Sequence, residues 1–115
     1  SVLGAVFNES ASTDAEIEGL TEGLESETDA RGRPRDGQFV NPDGKAQDAL
    51  DSLSGESDGK GGKILEDGSR AGTHTSTGTS GGQTGENSGS QTLHINRPKG
   101  KQNTKIRFPN DKQQQ

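Results

Sequence analysis

Residues 91–108 constrain the fold of this chain more than any other segment, because they contain two short runs of alternating polar and apolar residues. The runs are 92–96 and 104–108, and the polar stretch between them contains Gly100. A period of two is typical of β-strands that bury one face. Glycine supplies the positive φ that a tight turn needs. The pattern therefore predicts an antiparallel hairpin.

The apolar residues of this hairpin also predict its register, since they must share one face. Directly opposed residues point to the same side of a sheet. The predicted opposed pairs are Leu93 with Ile106, His94 with Lys105, and Thr92 with Arg107. The predicted core residues are Leu93, Ile95, Ile106 and Phe108. The opposite face then carries a histidine, a lysine and an arginine side by side.

Charge is distributed unevenly along the chain. The first thirty residues hold eight acidic residues and no basic one, whereas residues 90–112 hold six basic residues and one acidic residue. The net charge of −5 conceals this asymmetry. If the chain has a surface that binds a polyanion such as nucleic acid, we expect that surface at the C-terminal end.

The hydrophobic core must be small. Isoleucine, leucine, valine and phenylalanine total 17 of the 115 residues, and 18 residues are glycine, which adds unfolded-state entropy. We expect a single domain of marginal stability, or one stabilised by a partner. The absence of cysteine excludes disulfides and thiolate chemistry.

Two helices are predicted in the N-terminal half. In residues 12–25, Thr13 and Glu16 have the spacing of a capping box, and the apolar residues recur at helical spacing. Residues 42–53 predict a second helix, and 30–44 are typical of a loop. The predicted fold is α+β, with two N-terminal helices packed on a small antiparallel sheet. A helical, acidic part (1–55) and a β-rich part (56–115) form a single domain.

Several catalytic classes lack their sequence patterns. Gly59-Lys60-Gly61 lacks the spacer and the following Ser or Thr of a phosphate-binding loop. Two histidines without cysteine or clustered acidic ligands predict no metal site and no cofactor. Two Gly-x-Ser-x-Gly matches, around Ser57 and Ser80, do not lie on a strand-to-helix turn.

Histidine, lysine and arginine on one sheet face suit RNA cleavage without a metal. Histidine serves as acid or base near neutral pH, and cations stabilise the charge that develops on phosphorus. The candidate catalytic residues are His74, His94, Lys105, Arg107, Thr75 and Thr77. The candidate substrate-binding residues are Arg70, Arg97, Lys99 and Lys101. The sequence does not distinguish the acid from the base.

Residues 68–108 resemble the C-terminal part of ribonuclease toxins from bacterial contact-dependent growth inhibition and polymorphic toxin systems. The resemblance runs through Gly68-Ser69-Arg70, Thr75-Ser76-Thr77, Ser80-Gly81-Gly82, Thr92-Leu93-His94-Ile95 and Lys105-Ile106-Arg107-Phe108. It implies a small nuclease related to barnase, EndoU, the tRNA-cutting colicins and RelE. It also implies a secreted or cell-surface effector that is delivered to the target cell cytoplasm.

The same resemblance implies tRNA as substrate, a cognate immunity protein as inhibitor, and in some relatives a translation elongation factor as activator. The alternative is a non-enzymatic, partly disordered interaction domain that folds on a protein or nucleic-acid partner. Low apolar content and the Gly/Ser/Thr tract favour this alternative.

Overall fold

The computed structural model describes residues 2–76 and 89–112, with side chains from residue 12 onward. These residues form an α+β fold of two helices and one open seven-strand sheet. The helices are α1 (Val2–Thr21) and α2 (Ala46–Ser52). The strands are β1 (Glu25–Thr28), β2 (Pro34–Val40), β3 (Gly55–Ser57), β4 (Lys63–Leu65), β5 (Arg70–Thr75), β6 (Ser90–Asn96) and β7 (Thr104–Lys112).

The strand order across the sheet is β1-β2-β7-β6-β5-β4-β3. All neighbouring pairs are antiparallel except β2 and β7, which are parallel. A parallel pair needs a long crossover connection, and here α2 and strands β3 to β6 lie between the two strands in sequence. One sheet therefore contains strands from both halves of the chain.

The predicted hairpin and its register are confirmed. Strands β6 and β7 pair with Leu93 opposite Ile106, His94 opposite Lys105 and Thr92 opposite Arg107. The four predicted core residues of the hairpin are at most 2% exposed. Burying four apolar side chains on one face fixes the register, because a shift by one residue would move all of them to the other face.

The prediction that both helices precede the sheet is wrong, since α2 follows β1 and β2. The loop predicted at 30–44 is also wrong over Pro34–Val40, which is strand β2. This segment holds Pro34 and Gly37, both unfavourable in isolated strands. The segment forms a strand because it pairs with β7, which lies more than sixty residues later in the chain. Local propensity cannot predict such long-range pairing.

Helix α1 extends beyond the predicted start, so Thr13 lies inside the helix and the predicted capping box is wrong. Instead, the Glu16 carboxylate accepts hydrogen bonds from the backbone N–H and the hydroxyl of Ser54, at 2.9 and 2.6 Å. The helix ends before Gly23, whose φ of +77° turns the chain into β1. None of the described helices is both long and apolar enough to cross a membrane.

The core lies on one face of the sheet, under α2 and part of α1. Its buried apolar residues are Ile17, Ala46, Leu50, Leu53, Leu65, Ala71, Leu93, Ile95, Ile106 and Phe108. Lys63 donates from Nζ to the carbonyl oxygens of Leu50, Asp51 and Leu53, and so satisfies the C-terminal end of α2. No described helix covers the other face of the central strands, which we call the open face.

A partly buried ion cluster connects α1 to the β6–β7 turn. The guanidinium of Arg97 donates to the carboxylates of Asp14 and Asp67, and its Nε donates to the Ser69 hydroxyl at 2.9 Å. Lys101 pairs with Asp14 at 3.1 Å. The side chains of Arg97 and Asp67 are only 7% and 4% exposed. Arg97 and Lys101 are therefore engaged in holding the fold together.

Candidate active site

The open face of the sheet collects polar side chains from four neighbouring strands: β2, β7, β6 and β5. Strand pairing sets Gln38 beside Lys105, Lys105 opposite His94, and His74 opposite Thr92. Since opposed residues share a face, the two histidines lie on the same side as Lys105 and Arg107. Four of the six predicted catalytic residues thus come together: His74, His94, Lys105 and Arg107.

The two histidines are in direct contact. Their Nδ1 atoms are 3.1 Å apart, and their ring centroids are 5.3 Å apart with an interplanar angle of 32°. His74 is exposed and His94 is half-buried. At this separation one Nδ1 donates a hydrogen bond and the other accepts it, so a single proton lies between the two Nδ1 atoms.

His94 occupies space that a glycine leaves open. Its partner on β5 is Gly72, and a Cβ atom built at Gly72 would lie 3.1 Å from Nε2 and 3.3 Å from Cε1 of His94. Such contacts are tighter than ordinary van der Waals packing. The imidazole therefore leans over the Gly72 backbone, which brings its ring within reach of His74.

The surroundings of His94 favour its neutral form. Burial lowers the pKa of His94, and the nearby His74 and Lys105 lower it further. Desolvation penalises the charged imidazolium, and each neighbouring cation repels it. His94 is thus a neutral imidazole at neutral pH, the form that accepts a proton.

Arg107 is held by Glu27, a residue that the sequence analysis did not identify. The Arg107 Nε donates to Glu27 Oε2 at 2.7 Å, and Nη2 donates to Oε1 at 3.0 Å. This bidentate geometry fixes the plane of the guanidinium. Glu27 belongs to edge strand β1, two strands away from β7. Only the sheet order brings the two residues together, so no local sequence signal could have predicted the contact.

Three adjoining depressions cross the open face. The Arg70 depression has a volume of about 420 Å³ and is lined by Asp58, Lys60, Arg70, Gly72 and His94, among others. The amide depression, about 220 Å³, is lined by Asp36, Gln38, His94, Asn96, Gln102, Asn103, Thr104 and Lys105. The Arg107 depression, about 160 Å³, includes Glu27, His74, Thr92, Lys105 and Arg107. Shared residues make them one continuous polar surface.

Arg70 and Lys60 contribute positive charge beside His94. Both line the Arg70 depression, and both are exposed. The Asp58 carboxylate accepts hydrogen bonds from the backbone N–H groups of Lys60 and Gly62, at 2.7 and 2.9 Å. These bonds hold the glycine-rich turn in place. Lys60 thus belongs to the candidate site, although its segment lacks the pattern of a phosphate-binding loop.

The remaining predicted site residues lie elsewhere. Thr75 is on the helix-covered face by strand alternation, and its hydroxyl accepts a hydrogen bond from Gln91 Nε2 at 2.7 Å. Arg97 and Lys101 belong to the ion cluster on that side of the sheet. Lys99 is exposed in the turn between β6 and β7. Thr77 lies outside the described residues.

Within residues 12–76 and 89–112, whose side chains the structure describes, no group of three or more His, Cys, Asp or Glu residues is arranged to hold a metal ion. No known protein family, curated protein or solved structure matches this chain. The chemistry of the open face therefore provides the basis for assigning a function.

Proposed function

We propose that this chain is a toxic ribonuclease that cleaves tRNA by metal-independent transesterification. The observation that carries the proposal is the His74–His94 contact beside Lys105 and Arg107 on an open polar face. Cleavage of an RNA phosphodiester by its own 2′-hydroxyl needs a base, an acid and cations near the phosphate. The open face supplies all three.

His94 is the base in this proposal. Its pKa is lowered by burial and by the neighbouring His74 and Lys105, so the imidazole is neutral. In the starting tautomer, the Nδ1–H group of His94 donates a hydrogen bond to His74 Nδ1. The Nε2 atom of His94 then carries a free lone pair. That nitrogen takes the proton of the 2′-hydroxyl as the 2′-oxygen attacks phosphorus. The proposed reaction therefore needs no prior protonation of His94.

His74 is the acid, and the shared proton connects the two steps. As His94 Nε2 gains the hydroxyl proton, the Nδ1 proton of His94 moves to His74 Nδ1. His74 then donates its Nε2 proton to the O5′ atom as the P–O5′ bond breaks. The products are a 2′,3′-cyclic phosphate and a 5′-hydroxyl. Each histidine ends in the opposite tautomer, so no proton is gained or lost.

Lys105 and Arg107 stabilise the negative charge of the pentavalent phosphorus. Lys105 lies opposite His94 and lines both the amide and the Arg107 depressions. Arg107 is oriented by Glu27, which keeps its guanidinium at the Arg107 depression before substrate binds. Preoriented cations are more effective than mobile ones because they need no rearrangement during the reaction.

The partners in this proposal follow from the charge of the molecule and from the toxin resemblance. A net charge of −5 disfavours unaided binding to RNA. A translation elongation factor that presents tRNA would compensate for that repulsion. A cognate immunity protein would inhibit by covering the open face, and acidic side chains on it would pair with Lys60, Arg70 and Lys105. The domain would act in the target cell cytoplasm after delivery by a secreted or cell-surface protein.

The test is incubation of the purified chain with total bacterial RNA in a chelator, with and without cytosolic extract, followed by a denaturing gel. We expect discrete cuts in tRNA with cyclic-phosphate ends, and loss of cutting by about 10²- to 10⁴-fold in His94→Ala and in His74→Ala. Dependence on extract would identify a host activator.

Intact RNA in every lane would contradict the nuclease proposal, provided that circular dichroism shows the chain to be folded. If the intact RNA were nevertheless bound, and binding weakened steeply with salt, the chain would be a non-enzymatic interaction domain. Equal cutting by the wild type and both histidine variants would assign the activity to a contaminant.

A further inference from the structure

The amide depression has an unusual lining for a site that binds a phosphate backbone. Four of its lining side chains are carboxamides: Gln38, Asn96, Gln102 and Asn103. A carboxamide carries both hydrogen-bond donors and an acceptor but no charge. Such groups read the donor and acceptor pattern of a nucleobase edge, whereas phosphate is bound mainly by cations and N–H donors.

Two of these carboxamides are available to a ligand. Asn103 Oδ1 accepts the backbone N–H of Arg97 at 2.7 Å, and Gln102 Nε2 makes a long 3.4 Å contact with the Asn103 carbonyl. Among the described residues, the amides of Gln38 and Asn96 have no hydrogen-bond partner. Gln38 is half-buried on β2, and Asn96 is exposed at the end of β6.

The wall of this depression depends on Gly37. A Cβ atom at Gly37 would lie 2.2 Å from the Asn103 carbonyl oxygen and 2.9 Å from Gln102 Cγ, and its φ is +74°. Strand β2 and the segment before β7 therefore approach each other so closely that only glycine fits. This close approach places Gln102 and Asn103 directly beside Gly37, and both line the same depression as Gln38.

We propose that the amide depression binds the nucleobase on the 5′ side of the cleaved bond and selects a base that has an exocyclic amino group. The inference rests on the proposed function, since it places that nucleotide's 2′-hydroxyl at His94, which lines the same depression. A volume of about 220 Å³ is smaller than a typical site for a drug-sized ligand and suits one base.

The preference for a base with an exocyclic amino group arises from Asp36, which lines the same depression as the side-chain amides of Gln38 and Asn96. An ionised carboxylate only accepts hydrogen bonds. Adenine, cytosine and guanine offer it an amino donor, whereas uracil has two carbonyl oxygens flanking a single N–H on its pairing edge. Those carbonyl oxygens repel the carboxylate, so uracil is the disfavoured base.

The test measures binding of nucleoside 5′-monophosphates to the full chain by NMR, following the side-chain amide signals of Gln38 and Asn96. We expect these signals to shift with AMP, CMP and GMP, and the Kd for UMP to be about fivefold weaker, as for loss of one hydrogen bond. Asp36→Asn should abolish the discrimination, because an amide also donates. The matched control is Asp43→Asn, a loop carboxylate that lines none of the three depressions.

Equal affinities for all four nucleotides, or shifts confined to signals outside the depression, would overturn this inference. The binding assay needs no cleavage, so its failure is distinguishable from failure of the nuclease proposal. If the chain cuts RNA but binds all four nucleotides equally, the proposed function stands and the base site is contradicted. If it discriminates among nucleotides but leaves RNA intact, the base site stands and the nuclease proposal is contradicted.

Discussion

The Nδ1 atoms of His74 and His94 lie 3.1 Å apart on the open face of the sheet, so the two imidazoles form one hydrogen-bonded pair. Protonation of both rings would place two N–H donors against each other. The surroundings already lower the pKa of His94, through burial, His74 and Lys105. His94 therefore favours its neutral form at neutral pH.

The proton relay that we propose between these histidines predicts an unusual pH dependence of cleavage. The relay needs His94 in its neutral form, so kcat/KM should rise as the pH increases through the pKa of His94 and then stay level up to about pH 8. Because burial, His74 and Lys105 lower the pKa of His94, the midpoint of the rise should lie below its ordinary value of 6.5. A bell-shaped profile with its maximum near pH 6 would show instead that one histidine must be protonated.

Gly72→Ala should impair catalysis without unfolding the chain. The new methyl group would lie 3.1 Å from His94 Nε2 and displace the ring from His74. We expect kcat to fall about tenfold or more, because small displacements of a catalytic group are costly, with little change in KM. Steady-state kinetics on an RNA oligonucleotide measures this split.

The matched control is Gly19→Ala, in helix α1, where a new Cβ meets no atom within 4 Å. Removing a helical glycine should stabilise the fold by about 0.5–1 kcal/mol and leave kcat unchanged. Equal kcat values for Gly72→Ala and the wild type would contradict the close packing of His94 on Gly72.

Lys105→Ala should reduce kcat by roughly 10²- to 10³-fold, as expected for loss of one group that stabilises transition-state charge. Lys99→Ala removes the same charge from the neighbouring turn and should leave kcat within about twofold of the wild type. If both variants lost activity equally, the cations would act only through the overall field of the molecule, and salt would suppress both effects alike.

Asp67→Ala should destabilise the fold by about 2–3 kcal/mol. It removes one partner of the buried Arg97 guanidinium, and unpaired buried charge is costly, although Asp14 still compensates in part. Urea denaturation measures the free energy of unfolding, and Glu56→Ala on the exposed edge strand is the control. A loss below about 0.5 kcal/mol would contradict a structural role for the cluster.

The same cluster predicts how stability depends on acid. Burial raises the pKa of Asp67, but hydrogen bonds from Ser69 and Arg97 outweigh that effect and hold it below the ordinary value of 3.8. Hydrogen bonds from Arg97 and Lys101 likewise lower the pKa of Asp14. A lowered pKa stabilises the folded state above pH 3.8, and this stabilisation is lost as pH falls through the lowered values. Asp67→Ala should therefore lose less stability than the wild type on acidification from pH 5 to pH 2.

The sequence by itself determined the β6–β7 hairpin, its register and the sharing of one face by His94, Lys105 and Arg107. These features depend on alternation within a short segment and on one turn, so they are local. The same holds for the existence of both helices, since helical spacing is also local. The side of the sheet to which each hairpin residue points followed from the register alone.

Only the tertiary structure decided the rest of the site. The contact between His74 and His94 requires β5 to pair with β6, and the clamp of Glu27 on Arg107 requires β1 and β2 to join the sheet beside β7. Strand order depends on hydrogen bonds between distant segments, which no local pattern specifies. Arg97 and Thr75 had suitable chemistry for the site but lie on the other side of the sheet. Arg97 is held there by its ion pair with Asp14 of α1, and Thr75 points there because side chains alternate along β5.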